Sequence, residues 1–204
     1  MMRVTRRVAL LATLSAALSF PGVVQVVAQE ATPMASPTAA ATWLDIPTGA
    51  WNTPGMDIPE APEFEDYSNM NCGQQERPAE TPEDQALVDA GWRLFLAYQQ
   101  GWGVTLVSGL SGYDGMCRPI GYQDFVFVDG EFAGTLAPEP MASRNDGASD
   151  GANLWSAETI SAQYRRYAPD DALCCPSSSN YVEFTITRGE DGPVVNATII
   201  QPAD

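Results

Sequence analysis

Two apolar runs, Gln123 to Val128 and Glu131 to Leu136, flank the pair Asp129-Gly130, and this arrangement constrains the fold more than any other stretch of the chain. Asp-Gly tolerates the positive φ angles that a type I′ turn needs at both central positions, so the runs are predicted to pair as an antiparallel hairpin. Further strands are predicted at Val104 to Ser108, Asn153 to Ser156, Thr159 to Tyr167, Tyr181 to Thr187 and Val194 to Ile200, with Gly189 to Gly192 turning the last pair. Ile160, Ala162 and Tyr164 alternate with Ser161, Gln163 and Arg165, which suits a sheet with one wet face. Arg165-Arg166 on that strand puts one charge on each face, so one guanidinium needs a carboxylate partner or a bend.

One helix precedes these strands. Thr81 is a good N-cap, Pro82 suits the first helical position, and Glu83 and Asp84 complement the helix dipole. Leu87, Val88, Gly91, Leu94, Phe95 and Tyr98 fall on one face at helical spacing, which predicts a helix over 82–100 stopped by Gly101. The predicted fold class is therefore α+β: one N-terminal helix packed on a mainly antiparallel sheet of about six or seven strands, braced by disulfides.

The domain so defined spans 71–204. Before it, Arg3, Arg6 and Arg7 lead into the apolar run Val8 to Phe20, and Val26-Val27-Ala28 offers a small-residue cleavage site, the pattern of a signal peptide over 1–28. An uncleaved anchor is the rival reading of that segment; a lipid anchor would need a cysteine directly after the apolar run, whereas the first cysteine is Cys72. Residues 29–70 form an acidic tether rich in Pro, Ala and Thr. Its later part carries Trp43, Leu44, Ile46 and Trp51, and reads as an extended strap on the domain or as a sticky linker.

The formal charge of −16 becomes −19 once the three leading arginines are removed. Such a chain repels nucleic acid and anionic lipid, which leaves cations, sugars, envelope glycan or proteins as partners, with no stable membrane insertion after cleavage. Histidine and lysine are both absent, which excludes Ser-His-Asp and Cys-His catalysis, lysine Schiff bases, P-loops and the usual His-based metal sites. What remains rests on carboxylates, on thiolate, or on a hard cation held by oxygen.

Cys72, Cys117, Cys174 and Cys175 are an even set in an exported chain, so two disulfides are expected. Adjacent cysteines rarely bond to each other, so Cys174 and Cys175 are expected to reach Cys72 and Cys117, in either of two pairings. The loop 141–153 gathers Arg144, Asn145, Asp146, Ser149, Asp150 and Asn153. Its oxygens suit calcium in type, although the order of an EF-hand is missing. The competing reading has Arg144 pair with a carboxylate while Asn145-Asp146-Gly147 turns the chain. No cofactor is otherwise expected. An acid pair for glycoside hydrolysis would have to come from Asp114, Asp124, Glu131, Glu139, Asp146 or Glu158. Trp92, Trp102, Tyr113, Tyr122 and Trp155 either stack on sugars or pack the core. Arg144, Asp146, Trp102 and Tyr113 are the candidate binding residues.

The runs Gly112-Tyr113-Asp114-Gly115-Met116-Cys117-Arg118-Pro119, Phe125 to Leu136, Ser143-Arg144-Asn145-Asp146-Gly147 and Leu173-Cys174-Cys175-Pro176-Ser177 resemble the LppP/LprE lipoprotein family. The resemblance covers about Cys72 to Ile186. It implies an exported cell-envelope protein and carries over no catalytic residues. The expected function is a non-catalytic binding or structural module, secreted or held in the extracytoplasmic envelope; the alternative is a carboxylate- or calcium-dependent enzyme acting on envelope polysaccharide.

Overall fold

The computed structural model describes residues 41–64, 72 and 76–203. The segment 1–28, predicted as a signal peptide, and the first part of the predicted tether lie outside the described residues.

The helix starts where the sequence places it and ends much earlier. Helix α1, Pro82–Asp89, opens with a reciprocal cap in which Thr81 Oγ1 accepts from the Asp84 amide at 3.1 Å and the Asp84 carboxylate accepts from the Thr81 amide. Gly91 then takes φ +88°, which a helix cannot continue through, and the chain straightens into strand β1, Arg93–Gly101. Leu94, Phe95 and Tyr98 therefore lie on a strand. The predicted helix over 82–100 is corrected to these eight residues, because pairing with β2, Val104–Leu110, satisfies the backbone that a longer helix would have satisfied internally. Trp102 and Gly103, both at positive φ, form the reversal between the two strands.

Strand β2 also pairs with β4, Pro119–Val128, which borders β3, Gly112–Tyr113, and turns through Asp129-Gly130 into β5, Glu131–Thr135. Both turn residues have positive φ, as the sequence predicts. A short β6, Met141–Ala142, adds to β4. Strands β7, Ser149–Leu154, β8, Thr159–Arg166, β9, Ser178–Gly189, and β10, Gly192–Pro202, form a second antiparallel sheet in the order β10-β9-β8-β7. The expectation of one sheet under an N-terminal helix is thus corrected to two sheets, with the helix preceded by the strap.

Two sheets form because each has an apolar face. Leu106, Val126 and Val128 of the first share one core with Ile160, Ala162, Tyr164, Val182, Phe184 and Val195 of the second. The first sheet is apolar on its other face too, at Leu94, Val107, Phe125 and Phe127. There Leu87 of α1 and Met56, Ile58 and Ala61 of the strap cover it. Burying each such side chain contributes roughly 1.5 to 3 kcal/mol.

Side-chain amides bridge the sheets at both seams. Between β5 and β10, Asn52 of the strap donates to the Thr135 and Val195 carbonyls at 2.9 and 2.6 Å and accepts from the Thr135 amide at 3.0 Å. Between β1 and β7, Gln99 donates to the Ala152 carbonyl and accepts from the Leu154 amide. Both arginines of β8 find carboxylates: Arg165 pairs with Asp150, and Arg166 with Asp146 and with Asp45 of the strap.

The disulfides differ from the expected crosswise pairing. Cys72 bonds to Cys117 across a Cα separation of 4.9 Å, and Cys174 bonds to Cys175. Cys72 is buried in the main core. The two adjacent cysteines sit exposed in the β8–β9 connection, which is held in place where the Asp171 carboxylate accepts from the Ala168 and Ser177 amides.

Candidate functional site

Strand β1 loses register with β2 between Phe95 and Gln99, and at this bulge Leu96 adopts φ +61°, a left-handed conformation that costs a non-glycine residue energy. Residues 76 and 77 brace it from outside. The Arg77 amide donates to the Leu94 carbonyl at 3.0 Å and its Nε to the Leu96 carbonyl at 2.8 Å, while Glu76 bridges Phe95. Phe95 and Leu96 of the bulge line a cleft of about 200 Å³ together with Pro119, Tyr122 and Asp124 of β4, Ser143, Ser149, Asp150 and Gly151, and Arg165 of β8.

Asp124 is the unusual group. Along β4 the residues facing the main core are Tyr122, Asp124, Val126 and Val128, so an acid occupies a position whose strand neighbours on that face are apolar or aromatic. It is 3% exposed and stands opposite Ser108, whose hydroxyl donates to Asp124 Oδ1 at 2.5 Å. No ion pair reaches it among the described residues. Burial pushes its carboxyl up to about 6, the Ser108 hydrogen bond opposing this in part. The surrounding phenols are likewise displaced upward. Tyr122 is raised by burial and then by the charge of Asp124, and Tyr164 by burial and then by Asp124 and Tyr122. Both hydroxyls are committed as donors elsewhere, Tyr122 to the Ser149 carbonyl and Tyr164 to the Leu136 carbonyl.

This geometry makes stability pH-dependent. Asp124 has a folded pKa of about 6 against the ordinary 3.8 of a carboxyl in water, so the folded state holds the proton more tightly, and its contribution is present at low pH and lost as pH rises through 6. Asp45, Asp84, Asp114 and Asp171 are shifted downward, so their opposite contributions are lost only below 3.8. Urea unfolding is therefore expected to show Asp124 contributing about 2 kcal/mol more stability near pH ~4.5 than near pH ~7.5. Asp124→Asn should remove that difference; an unchanged pH profile in the variant would refute the assignment.

The candidate residues read from the sequence do not converge. Trp102 is 63% exposed at the β1–β2 tip, next to Gly103, whose carbonyl accepts from the Asp129 amide. Tyr113 is buried with Arg93 over its ring. Asp146 accepts from Arg166 and from the Tyr167 amide. Arg144 forms no carboxylate pair among the described residues: its Nη2 lies 3.7 Å from Met116 Sδ, and its Nε is buried without a hydrogen-bond partner. That expectation is corrected, because β8 supplies the arginines that occupy Asp146 and Asp150. Among the described residues no group of three or more His, Cys, Asp or Glu is placed to hold a metal ion.

Of the six carboxylates considered for acid chemistry, Asp114 pairs with Arg118, Asp146 with Arg166, and Glu131, Glu139 and Glu158 are exposed. Only Asp124 lines the cleft. Its neighbour there is Asp150, which the sequence reading placed in the calcium loop and which Arg165 neutralises. The signal that could have singled out Asp124 is its place in the alternation Tyr122, Asp124, Val126, Val128, a lone acid on a core-facing row.

Residues 105–189 match the family model described as LppP/LprE lipoprotein. The LppP/LprE match points to an exported, envelope-associated protein. It runs from β2 to the end of β9 and so contains Asp124, Tyr122, Asp150 and Arg165; Phe95 and Leu96, which line the cleft from the bulge, lie before it. No curated protein and no solved structure matches the chain. Among the described residues no helix is long and apolar enough to cross a membrane.

Proposed function

We propose that this chain is a non-catalytic binding module of the cell envelope, and that its ligand site is the cleft lined by Asp124. The observation that supports it is a carboxyl almost wholly removed from water, hydrogen-bonded to one serine hydroxyl, in the lining of a cavity. A buried charge without a counter-charge costs several kcal/mol, and a ligand that supplies one recovers part of that cost. A carboxylate enzyme acting on envelope polysaccharide is the second reading. It draws on the carboxyl near 6, where a general acid would be poised, but the other carboxylate of the cleft is held by Arg165.

A fragment screen by NMR on the mature protein tests the proposal. Fragments are expected to bind saturably and to move resonances of Leu96 and Tyr122, and Asp124→Leu should abolish those shifts. Absence of any cleft-directed binding would refute the binding module. Hydrolysis of purified envelope glycan, lost in Asp124→Leu, would replace it with the enzyme.

A further inference from the structure

We propose that the cleft receives a primary alkylammonium group, with the cation against the Asp124 carboxylate and the alkyl stem between Phe95, Leu96 and the Tyr122 ring. This rests on the reading of the cleft as a ligand site and names the chemistry of the ligand.

The first argument is the balance of donors and acceptors. Ser108 bonds Oδ1 of Asp124 only. Most nearby groups able to donate are committed elsewhere: the Tyr122 and Tyr164 hydroxyls to backbone carbonyls, Ser143 Oγ to the Pro119 carbonyl, and Arg165 to Asp150 and the Ser143 carbonyl; the Ser149 hydroxyl, which accepts from the Gly151 amide, is the cleft donor left over. The cleft around Asp124 therefore presents acceptor capacity, and a complementary ligand brings donors and positive charge.

The second argument is that no cationic side chain among the described residues pairs with Asp124. The chain has no lysine. Arg77, Arg93, Arg118, Arg165 and Arg166 are each paired with a carboxylate, Arg188 donates to the Ala157 carbonyl, and Arg144, which has no carboxylate partner among the described residues, turns its Nη2 to Met116 Sδ and not to Asp124.

The third is size and wall chemistry. A space of about 200 Å³ is below the range of ordinary cofactor pockets and suits one short side-chain-sized group. Phe95 and Tyr122 stand edge to face at 6.1 Å, offering an aromatic lining that favours an alkyl stem and attracts a cation. The strongly negative chain also concentrates cations at its surface.

The test titrates n-pentylammonium, n-pentanol and pentanoate into the mature protein, following Leu96 and Tyr122 by NMR. Saturable shifts with pentylammonium, and weaker ones with the two others, are expected. Affinity for pentylammonium should fall about tenfold from pH ~7.5 to pH ~5 as Asp124 protonates; the charged and titratable groups that face it are Asp150, Arg165, Tyr122 and Tyr164, of which Arg165, Tyr122 and Tyr164 are all shifted upward. Asp124→Asn, which retains an acceptor for Ser108, should lower pentylammonium affinity at least tenfold and leave pentanol unaffected. Equal binding of pentanol or pentanoate, or full affinity in Asp124→Asn, overturns the ammonium assignment and leaves the binding cleft standing. No shift with any probe overturns both. Nα-acetyl-lysine methylamide separates the sources: tighter binding than pentylammonium assigns the group to a lysine side chain of a protein or peptide, weaker binding to a free amine.

Discussion

Replacing Arg77 with alanine is expected to destabilise the protein by about 3 to 5 kcal/mol, because it leaves a buried carboxylate without its counter-ion. Asp84 is 0% exposed, and Arg77 reaches it with two nitrogens at 2.6 and 2.7 Å. Burial alone would raise the Asp84 carboxyl; the Arg77 guanidinium and the amides of Glu80 and Thr81 outweigh it and hold the carboxyl below its ordinary value. Asp84 also completes the cap of α1, so an uncompensated charge there weakens the helix start together with the cover that Leu87 of α1 gives the Phe125 face of the first sheet. Urea unfolding of Arg77→Ala measures the loss. The paired variant Arg77→Met with Asp84→Leu removes both charges and should recover part of it, since two apolar groups need no counter-ion, while the Glu80 and Thr81 amides lose their acceptor. A loss below about 1 kcal/mol in the single variant would contradict this account. The same change should reach the cleft, because Arg77 Nε bonds the Leu96 carbonyl at the bulge. The linkage of Asp84 runs opposite to that of Asp124: its stabilisation is present above 3.8 and lost as pH falls through its lowered folded value.

Removing the Cys72–Cys117 bridge should cost about 4 kcal/mol in the chain-entropy treatment, given a sequence separation of 45 residues. The Cys174–Cys175 bridge joins neighbours, so it restrains almost nothing in the unfolded chain. Thermal and urea unfolding of Cys72→Ser with Cys117→Ser is therefore expected to show a large loss, and Cys174→Ser with Cys175→Ser little. Peptide mapping of the oxidised protein checks the pairing directly. A large loss in the second variant would restore the crosswise arrangement. Cys117 lies in the turn that delivers β4 to the cleft, so the costly bridge also anchors the strand carrying Tyr122 and Asp124.

The elements legible in the sequence are those with local causes. The hairpin at Asp129-Gly130 follows from backbone angles that few residue pairs tolerate, the start of α1 from Thr81, Pro82 and Asp84, and the face of β8 from period-two alternation. The end of the helix was not legible, because Leu94, Phe95 and Tyr98 satisfy helical spacing as well as they satisfy a bulged strand. The choice between them belongs to β2, which needed an edge partner. The site was half legible. Asp124 is one of six carboxylates considered from the sequence, and only the meeting of the two sheets strips it of water and leaves it without an ion pair among the described residues.

What the amino-acid sequence determined by itself is the chemical repertoire and the local turns: a chain without lysine or histidine, acidic, with cysteines in even number, and with caps and reversals set by short-range sterics and hydrogen bonds. The tertiary structure alone decided which sulfurs bond, how the strands divide into two sheets, and which one carboxyl is left inside without a counter-charge. Those outcomes depend on contacts between residues tens of positions apart, whose free energies arise from burial and charge pairing that no local window contains.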